Sequence, residues 1–103
     1  MDLIKHINRQ KIWSEKAFGH GKRTLGICDH ISKELNEIKN DPDDLMEWVD
    51  VIMMAIDGAW RAGYSPEEIA SSIYKKQVIN EEREWPDYRY MNPDKAIEHI
   101  REK

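Results

Sequence analysis

Residues 28–56 read CDHISKELNEIKNDPDDLMEWVDVIMMAI and contain two amphipathic segments separated by a short turn. In the first segment the apolar residues follow a 3-4-3 spacing, which forms one stripe on a helix. These residues are Cys28, Ile31, Leu35 and Ile38. The turn is marked by Asp41 and Pro42, because aspartate suits the N-cap and proline the first position of a new helix. The second stripe is expected to consist of Leu45, Val49, Ile52, Ile56 and Trp60.

In the rest of the chain, glycine and proline mark the predicted ends and beginnings of helices. The Gly-His-Gly run at 19–21 ends a first helix, since glycine suits the left-handed cap. The Ser-Pro-Glu-Glu run at 65–68 reads as a capping box that opens another helix. No segment alternates at period two. We therefore predict an all-α fold, an antiparallel four-helix bundle with a short C-terminal helix. The predicted helices cover about residues 3–18, 24–40, 42–62, 66–84 and 93–101.

Length and composition set the broad class. The 103 residues and 12.2 kDa predict one domain over residues 1–103. No stretch approaches the roughly 18 apolar residues of a membrane span, and no signal-peptide pattern opens the chain, so we expect no membrane partner. The single cysteine, Cys28, cannot form an internal disulfide and fits a cytoplasmic location. A small core also favours a homodimer or higher homo-oligomer.

The formal net charge of −4 hides an asymmetry along the chain. Residues 34–50 hold seven acidic residues and one base, Lys39, so this segment carries −6 and the remainder +2. A mildly acidic chain is not expected to bind nucleic-acid backbones. Concentrated like charge destabilises a fold unless something offsets it.

Two carboxylate pairs flank the turn. Glu34 and Glu37 are three residues apart and therefore neighbours on one helix face. Glu47 and Asp50 repeat that relation on the next helix. Because the two helices should run antiparallel, the four carboxylates are expected to converge at the edge of the core, where hard cations such as Mg²⁺ prefer oxygen ligands. The alternative is a solvated helix face, as most charge runs are.

At these residues the chain resembles a known family. Glu34-Leu-Asn-Glu37 followed by Glu47-Trp-Val-Asp50 is similar to the E-x-x-E and E-x-x-D signature of the MazG-like all-α nucleotide pyrophosphohydrolases. The resemblance covers roughly residues 6–87 and is closest to the phage and bacterial branch named dATP/dGTP diphosphohydrolase-like. The flanking blocks that carry it lie at 18–26, 29–38, 57–63 and 80–86. Two departures are Lys33, where many members have a further Glu, and a shorter spacer between the pairs.

The resemblance implies hydrolysis of a nucleoside triphosphate, by preference a purine deoxynucleotide, between its α and β phosphates. The products would be the nucleoside monophosphate and pyrophosphate. It also implies Mg²⁺, with Mn²⁺ as the alternative ion, held by Glu34, Glu37, Glu47 and Asp50. Of these, Glu37 and Glu34 are the candidate catalytic residues, with Glu37 as general base.

One set of candidate substrate contacts follows the fourth helix. Lys76, Asn80 and Arg83 fall at i, i+4 and i+7, so they share one stripe. A cation, an amide and a guanidinium aligned in this way could hold phosphates and read a base edge, and family members carry a similar set. The alternative is a solvated face that pairs with nearby glutamates.

A second set of candidate contacts precedes the carboxylates. Trp13 could stack on a base and Gln10 could hydrogen-bond it, although Trp13 could equally belong to the core or to a subunit interface. Arg23 follows the glycines at 19–21 and could close over phosphates, or be an exposed loop charge. Asp57 lies two turns beyond Asp50 and is a candidate outer ligand; its alternative is an i, i+4 ion pair with the arginine at 61.

A different class of function also fits the chain. A helical interaction module of phage or prophage origin would have no enzymatic activity. It would bind a host protein through Trp48, Trp60 or the C-terminal aromatic residues. Such a protein would need no metal and would tolerate Glu34→Gln, which distinguishes it from the hydrolase.

Overall fold

A computed structural model describes residues 2–101, and these residues form four α-helices and no strand. The helices are α1 (Leu3–Phe18), α2 (Thr24–Asn40), α3 (Leu45–Arg61) and α4 (Pro66–Glu82), followed by a 3₁₀ turn at Tyr88–Tyr90. The predicted all-α class is confirmed. Within residues 2–101, no helix has the length and apolar character needed to cross a membrane.

Side chains at the helix ends explain where α1 and α4 begin. The carboxylate of Asp2 caps α1 by accepting a hydrogen bond from the backbone N–H of Ile4 at 2.9 Å. The predicted capping box is present at α4: the Ser65 N–H donates to Glu68 Oε1, and the Glu68 N–H donates to Ser65 Oγ, each at 3.1 Å.

The turn between α2 and α3 is longer than predicted, because α3 begins at Leu45 and not at 42. Asp44 is the N-cap, since its carboxylate accepts from the backbone N–H two residues later at 3.0 Å. Pro42 belongs to the turn at 41–44, and its carbonyl accepts the indole N–H of Trp48 at 2.8 Å. The connection is still short enough to pack α3 against α2 as an antiparallel hairpin.

The chain divides into two compact units, one ending at Ser71 and the other beginning at Ser72. In the first unit α3 packs against both α2 and α1. Ile69, in the first turns of α4, joins the core of this unit, so all four helices contribute to packing. That core consists of Ile7, Ile56, Trp60 and Ile69, with Leu3 and Ala59 packed beside it. A single domain over residues 1–103 stays a prediction.

The buried face of α2 differs from the predicted stripe. Ile27, Glu34 and Ile38 are buried, whereas Cys28 and Leu35 are exposed. A shift of one residue rotates the face of a helix by about 100°, so the side turned toward the interior carries a glutamate in place of a leucine. The apolar spacing missed this because it treats every buried position as apolar. On α3, Leu45 and Ile52 are likewise exposed, while Ile56 and Trp60 are buried as predicted.

In the second unit the predicted helix at about 93–101 is absent from the described residues, which extend to 101. The Asn92 side chain instead accepts from the Asp94 N–H at 2.9 Å and closes a turn. The segment is shorter than the roughly 12–15 residues that an isolated helix needs, and it is mostly exposed. Its end bonds back to the residues after α4, since the Ile100 N–H donates to the Glu84 carbonyl at 2.8 Å.

Candidate functional site

Helices α2 and α3 bring three carboxylates together beside their connecting turn. Glu34, Glu37 and Glu47 each offer one oxygen, and these oxygens lie within 4.8 Å of one another. The i, i+3 spacing aligns the first two on α2, and the turn at 41–44 brings the first turn of α3 beside them. Glu34 is buried, Glu47 half-buried and Glu37 exposed. We call these three residues the acidic cluster; it could hold a metal ion.

Asp50, the fourth predicted carboxylate, lies outside this group of three. It is exposed and sits one turn beyond Glu47 on α3. Its negative charge nevertheless contributes to raising the pKa of Glu34. The structure therefore brings three of the four predicted ligands into one cluster and leaves Asp50 at its edge.

Burial, hydrogen bonding with Glu37 and mutual repulsion raise the pKa of two carboxyl groups in the acidic cluster. Burial is the largest cause that raises the pKa of Glu34, followed by its hydrogen bond with Glu37 and by nearby negative charge. The pKa of Glu47 rises to about 7, first through its hydrogen bond with Glu37 and then through burial. Neighbouring carboxylates disfavour each other's ionised form. The imidazole Nε2 of His30, 3.4 Å from Glu34 Oε1, opposes this effect.

Two carboxylate oxygens of the cluster, Glu34 Oε2 and Glu47 Oε2, are buried and have no hydrogen-bond partner among residues 2–101. Buried polar atoms in native proteins are nearly always satisfied by a protein group, a water molecule or an ion. A divalent cation would satisfy both oxygens and offset the repulsion between them. Because the donors are all carboxylate oxygens, the set suits a hard ion such as Mg²⁺.

A cavity of about 290 Å³ adjoins this region within the first unit. It is bordered by three of the predicted substrate residues, Gln10, Trp13 and Arg23, and by Asp50. Trp13 is 60% exposed, which excludes its alternative assignment to the core. The cavity thus has an acidic end at Asp50 and an aromatic end at Trp13.

Phe18 completes the aromatic end and was not identified from the sequence. Its ring meets that of Trp13 edge to face, with centroids 5.7 Å apart, and the Arg23 guanidinium lies 5.1 Å from its centroid. Met53 and Met54 of α3 also line the cavity. The i, i+5 spacing of the two aromatic residues is not a helical neighbour spacing, so no local signal indicated the pair.

Gln10 is buried and its amide is engaged inside the protein. The amide nitrogen donates to the Met53 carbonyl and to Asp57 Oδ1, both at 2.7 Å. Both partners are acceptors, which assigns the orientation of the amide. The amide oxygen faces His6 Nε2 at 3.0 Å. The amide that was expected to bond a base is therefore used within the protein: one hydrogen bond lies within α1, and two join α1 to α3.

Asp57 links α3 to α1 and forms no ion pair with Arg61, contrary to the i, i+4 alternative. Besides Gln10, it accepts hydrogen bonds from Ser14 Oγ at 2.6 Å and from the Trp60 indole N–H at 3.0 Å. Its carboxylate is thus occupied by three donors of the protein itself. A role as outer metal ligand has no support in this geometry.

Arg61 anchors the loop that follows α1. Its buried guanidinium donates to the carbonyls of Gly19 and Gly21, each at 2.9 Å, and to Ser14 Oγ at 3.0 Å. Both glycines have φ near +87°, in the left-handed region that favours glycine. The anchored loop leads directly to Arg23, which borders the cavity. Arg61 therefore helps to fix the position of the Arg23 side of the cavity.

The stripe of Lys76, Asn80 and Arg83 lies in the second unit. Arg83 follows the last residue of α4 and its Nη1 donates to Asn80 Oδ1 at 3.5 Å, while the Asn80 carbonyl accepts the Trp85 indole N–H at 2.7 Å. Burial lowers the pKa of His99, and the charges of Arg83, Arg101 and Lys76 lower it further; the His99 ring meets that of Trp85 edge to face, with centroids 5.8 Å apart. The role of the stripe toward a substrate stays a prediction.

The four helices, the acidic cluster and the adjoining cavity define an all-α protein with a site suited to a cation and a small ligand. Comparison with known proteins narrows this class. The chain belongs to the dATP/dGTP pyrophosphohydrolase family, which matches residues 6–103 and confirms the resemblance seen in the sequence.

A phage protein is a further relative. The chain is 36% identical over 75 residues to the Eaa protein of Salmonella phage P22. The alignment covers 73% of this chain but 23% of the phage protein, so the chain spans about a quarter of that relative's length. No solved structure matches the chain.

Proposed function

We propose that this protein is a Mg²⁺-dependent pyrophosphohydrolase that converts purine deoxynucleoside triphosphates to monophosphates and pyrophosphate. The observation that carries the proposal is the pair of buried, unpartnered oxygens, Glu34 Oε2 and Glu47 Oε2, near a cavity of about 290 Å³ that Asp50 borders. The preference for purine deoxynucleotides is supported by the description of the family to which the chain belongs.

The acidic cluster would hold the cation through Glu34, Glu37 and Glu47, with Asp50 approaching from the cavity side. A bound Mg²⁺ supplies Lewis acidity toward phosphate oxygens and toward an attacking water. Glu37 is the exposed member of the cluster, so solvent reaches its carboxylate and it can serve as general base. Glu34, the buried member, is assigned to fixing the position of the cation.

The remaining proposals concern the substrate contacts, the assembly and the location of the protein, and each rests on a different observation. Arg23 borders the cavity and offers a guanidinium for phosphate. Lys76, Asn80 and Arg83 rest on their shared helix stripe and on the resemblance to the family. Homodimer or higher assembly is supported by exposed apolar residues on α3, among them Leu45 at 67%. A cytoplasmic location rests on the single free cysteine.

The competing interaction module loses one of its proposed contacts. Trp60 is only 6% exposed and belongs to the core, so it cannot form a binding surface. Trp48 retains a half-exposed ring, but its indole N–H is bonded to the Pro42 carbonyl. The unpartnered carboxylate oxygens would also have no purpose in such a protein, which favours the hydrolase.

The decisive experiment incubates the protein with each dNTP and Mg²⁺ and measures pyrophosphate separately from phosphate. Glu34→Gln and Glu47→Gln should reduce turnover at least 100-fold, the scale of losing one charged transition-state contact. Glu67→Gln is the matched control, since this exposed acid lies in the first turn of α4. Absence of turnover for every canonical dNTP, or equal activity in all variants, would refute the proposal.

A further inference from the structure

We propose that His30 is a positioning residue of the acidic cluster, which holds the Glu34 carboxylate in the orientation that receives the cation. This inference rests on the proposed function, because it concerns the same cation site. The grouped oxygens of the cluster, among residues 2–101, belong to Glu34, Glu37 and Glu47. His30 stands outside that group, one turn before Glu34 on α2, where its imidazole borders the cavity.

The two oxygens of Glu34 have different surroundings. Oε1 lies 3.4 Å from Nε2 of His30. Oε2 is buried and has no hydrogen-bond partner among the described residues. The side chain is only 9% exposed, so little water competes for either oxygen. With Oε1 held toward the imidazole, Oε2 is the oxygen that remains for a cation.

The cluster needs such an anchor because its own members cannot provide one. The terminal torsion of a glutamate is broad, so an unanchored carboxylate samples several orientations. Ionised Glu37 and Glu47 accept hydrogen bonds but donate none, whereas an imidazole N–H donates. Carboxylates that bind metals are commonly oriented by hydrogen bonds from outside the ligand set. The contact of 3.4 Å is long for a hydrogen bond, and such contacts in ligand-free sites often tighten once the ligand binds.

The contact with Glu34 contributes little to the fold. The imidazole of His30 is 58% exposed, so it is not part of the core. A pair at i, i+4 on a helix surface adds only about 0.2–0.5 kcal/mol to stability. Removal of His30 should therefore leave the helices intact, and its effect on the cation can be measured separately from folding.

The sign and size of the change in metal affinity distinguish three roles for His30. Loss of an outer hydrogen bond to a metal ligand weakens metal binding by about 10–100-fold. A pair that only decorates the helix surface would leave metal binding unchanged. An imidazolium that acts through its positive charge would repel the cation, so its removal would tighten binding. The proposal predicts the first of these results.

The test titrates Mn²⁺ into the protein without nucleotide and measures free Mn²⁺ by electron paramagnetic resonance. A pH of 8 lies well above the range in which histidine usually titrates. His30→Ala should raise the Kd by about 10–100-fold. His30→Gln should retain most of the affinity, because an amide at this spacing can donate to a glutamate, as Gln77 donates to Glu81 at 3.0 Å on α4.

His20→Ala is the matched control. His20 also pairs with a glutamate, Glu15, but that glutamate is not a member of the acidic cluster. This variant should bind Mn²⁺ as the wild-type protein does. Circular dichroism of each variant verifies that the helices have formed.

The outcomes separate this inference from the proposed hydrolysis. Equal or tighter Mn²⁺ binding by His30→Ala would overturn the inference even if the protein hydrolyses dNTPs. Equal weakening in the alanine and glutamine variants would also overturn it, because the donated hydrogen would then not matter. Weaker binding in the alanine variant alone, without turnover of any dNTP, would support the inference and refute the hydrolase. A wild-type protein that binds no Mn²⁺ would refute both.

Discussion

Replacing Asp57 by alanine tests whether the hydrogen bonds between α1 and α3 support the fold beneath the cavity. In the intact protein three donors meet this carboxylate: Gln10 at 2.7 Å, Ser14 at 2.6 Å and Trp60 at 3.0 Å. The alanine variant leaves Gln10 its bond to the Met53 carbonyl. The Ser14 hydroxyl, which is fully buried, and the Trp60 indole N–H lose their only acceptor among the described residues.

The expected loss follows from these two orphaned donors. Each unpaired buried donor costs about 1–3 kcal/mol. Because Asp57 borders the cavity, water can reach part of the space it vacates, so we expect a total near 3 kcal/mol, toward the lower half of the sum. For a chain of this length that corresponds to a fall of roughly 12–24 °C in melting temperature.

Urea unfolding followed by far-UV circular dichroism measures the change in free energy directly. Asp50→Ala is the matched control, since this exposed carboxylate on the same helix should change stability by less than about 0.5 kcal/mol. A loss below about 1 kcal/mol for Asp57→Ala would refute the structural role. Loss of a Mg²⁺ response with stability retained would instead make Asp57 a ligand.

Three further outcomes are expected. In EDTA, the melting temperature measured by fluorimetry should fall as pH rises from about 4.5 toward 7. The reason is that Glu47, with its pKa of about 7, keeps a proton in the folded state that the unfolded chain has already lost. Glu47→Gln should flatten this pH profile, and a flat profile for the wild-type protein would contradict the assignment. Mg²⁺ at about 100 times its Kd should stabilise the protein by about 2.7 kcal/mol, whereas Glu34→Gln should abolish this response and an unchanged response would exclude the cluster as the site. Ile7→Ala should cost about 2–5 kcal/mol in urea titrations because Ile7 is fully buried; Ile12→Ala, 59% exposed, should cost under about 0.5 kcal/mol, and equal losses would refute the described core.

Local signals predicted the helices well where caps and breakers are strong. The capping box at 65–68 and the glycines at 19–21 mark α4 and α1 because each acts through neighbours in the chain. The helix expected at about 93–101 shows the limit of such signals. An Asn-Pro-Asp start favours a helix, but this segment is too short and too exposed to hold one without packing.

The candidate site was predictable in part for the same reason. Helical spacing and a short turn were enough to bring Glu34, Glu37 and Glu47 together. Residue spacing did not indicate that Glu34 would be buried in place of Leu35, because the spacing rule assigns only apolar residues to the buried face of a helix. Nor did it show that Gln10 would bond to α3, since that partner is 43 residues away.

The all-α class, the hairpin and the convergence of three carboxylates could be read from the sequence, because each depends on contacts within a turn or two of the chain. Only the packing of the helices shows which face of α2 is buried, which oxygens are left without partners, and which polar groups of the cavity are already engaged. Those outcomes depend on how α1, α2 and α3 pack against one another. Arg61 is the clearest case, since its guanidinium reaches back across the fold to the carbonyls of Gly19 and Gly21, a contact that no spacing along the chain encodes.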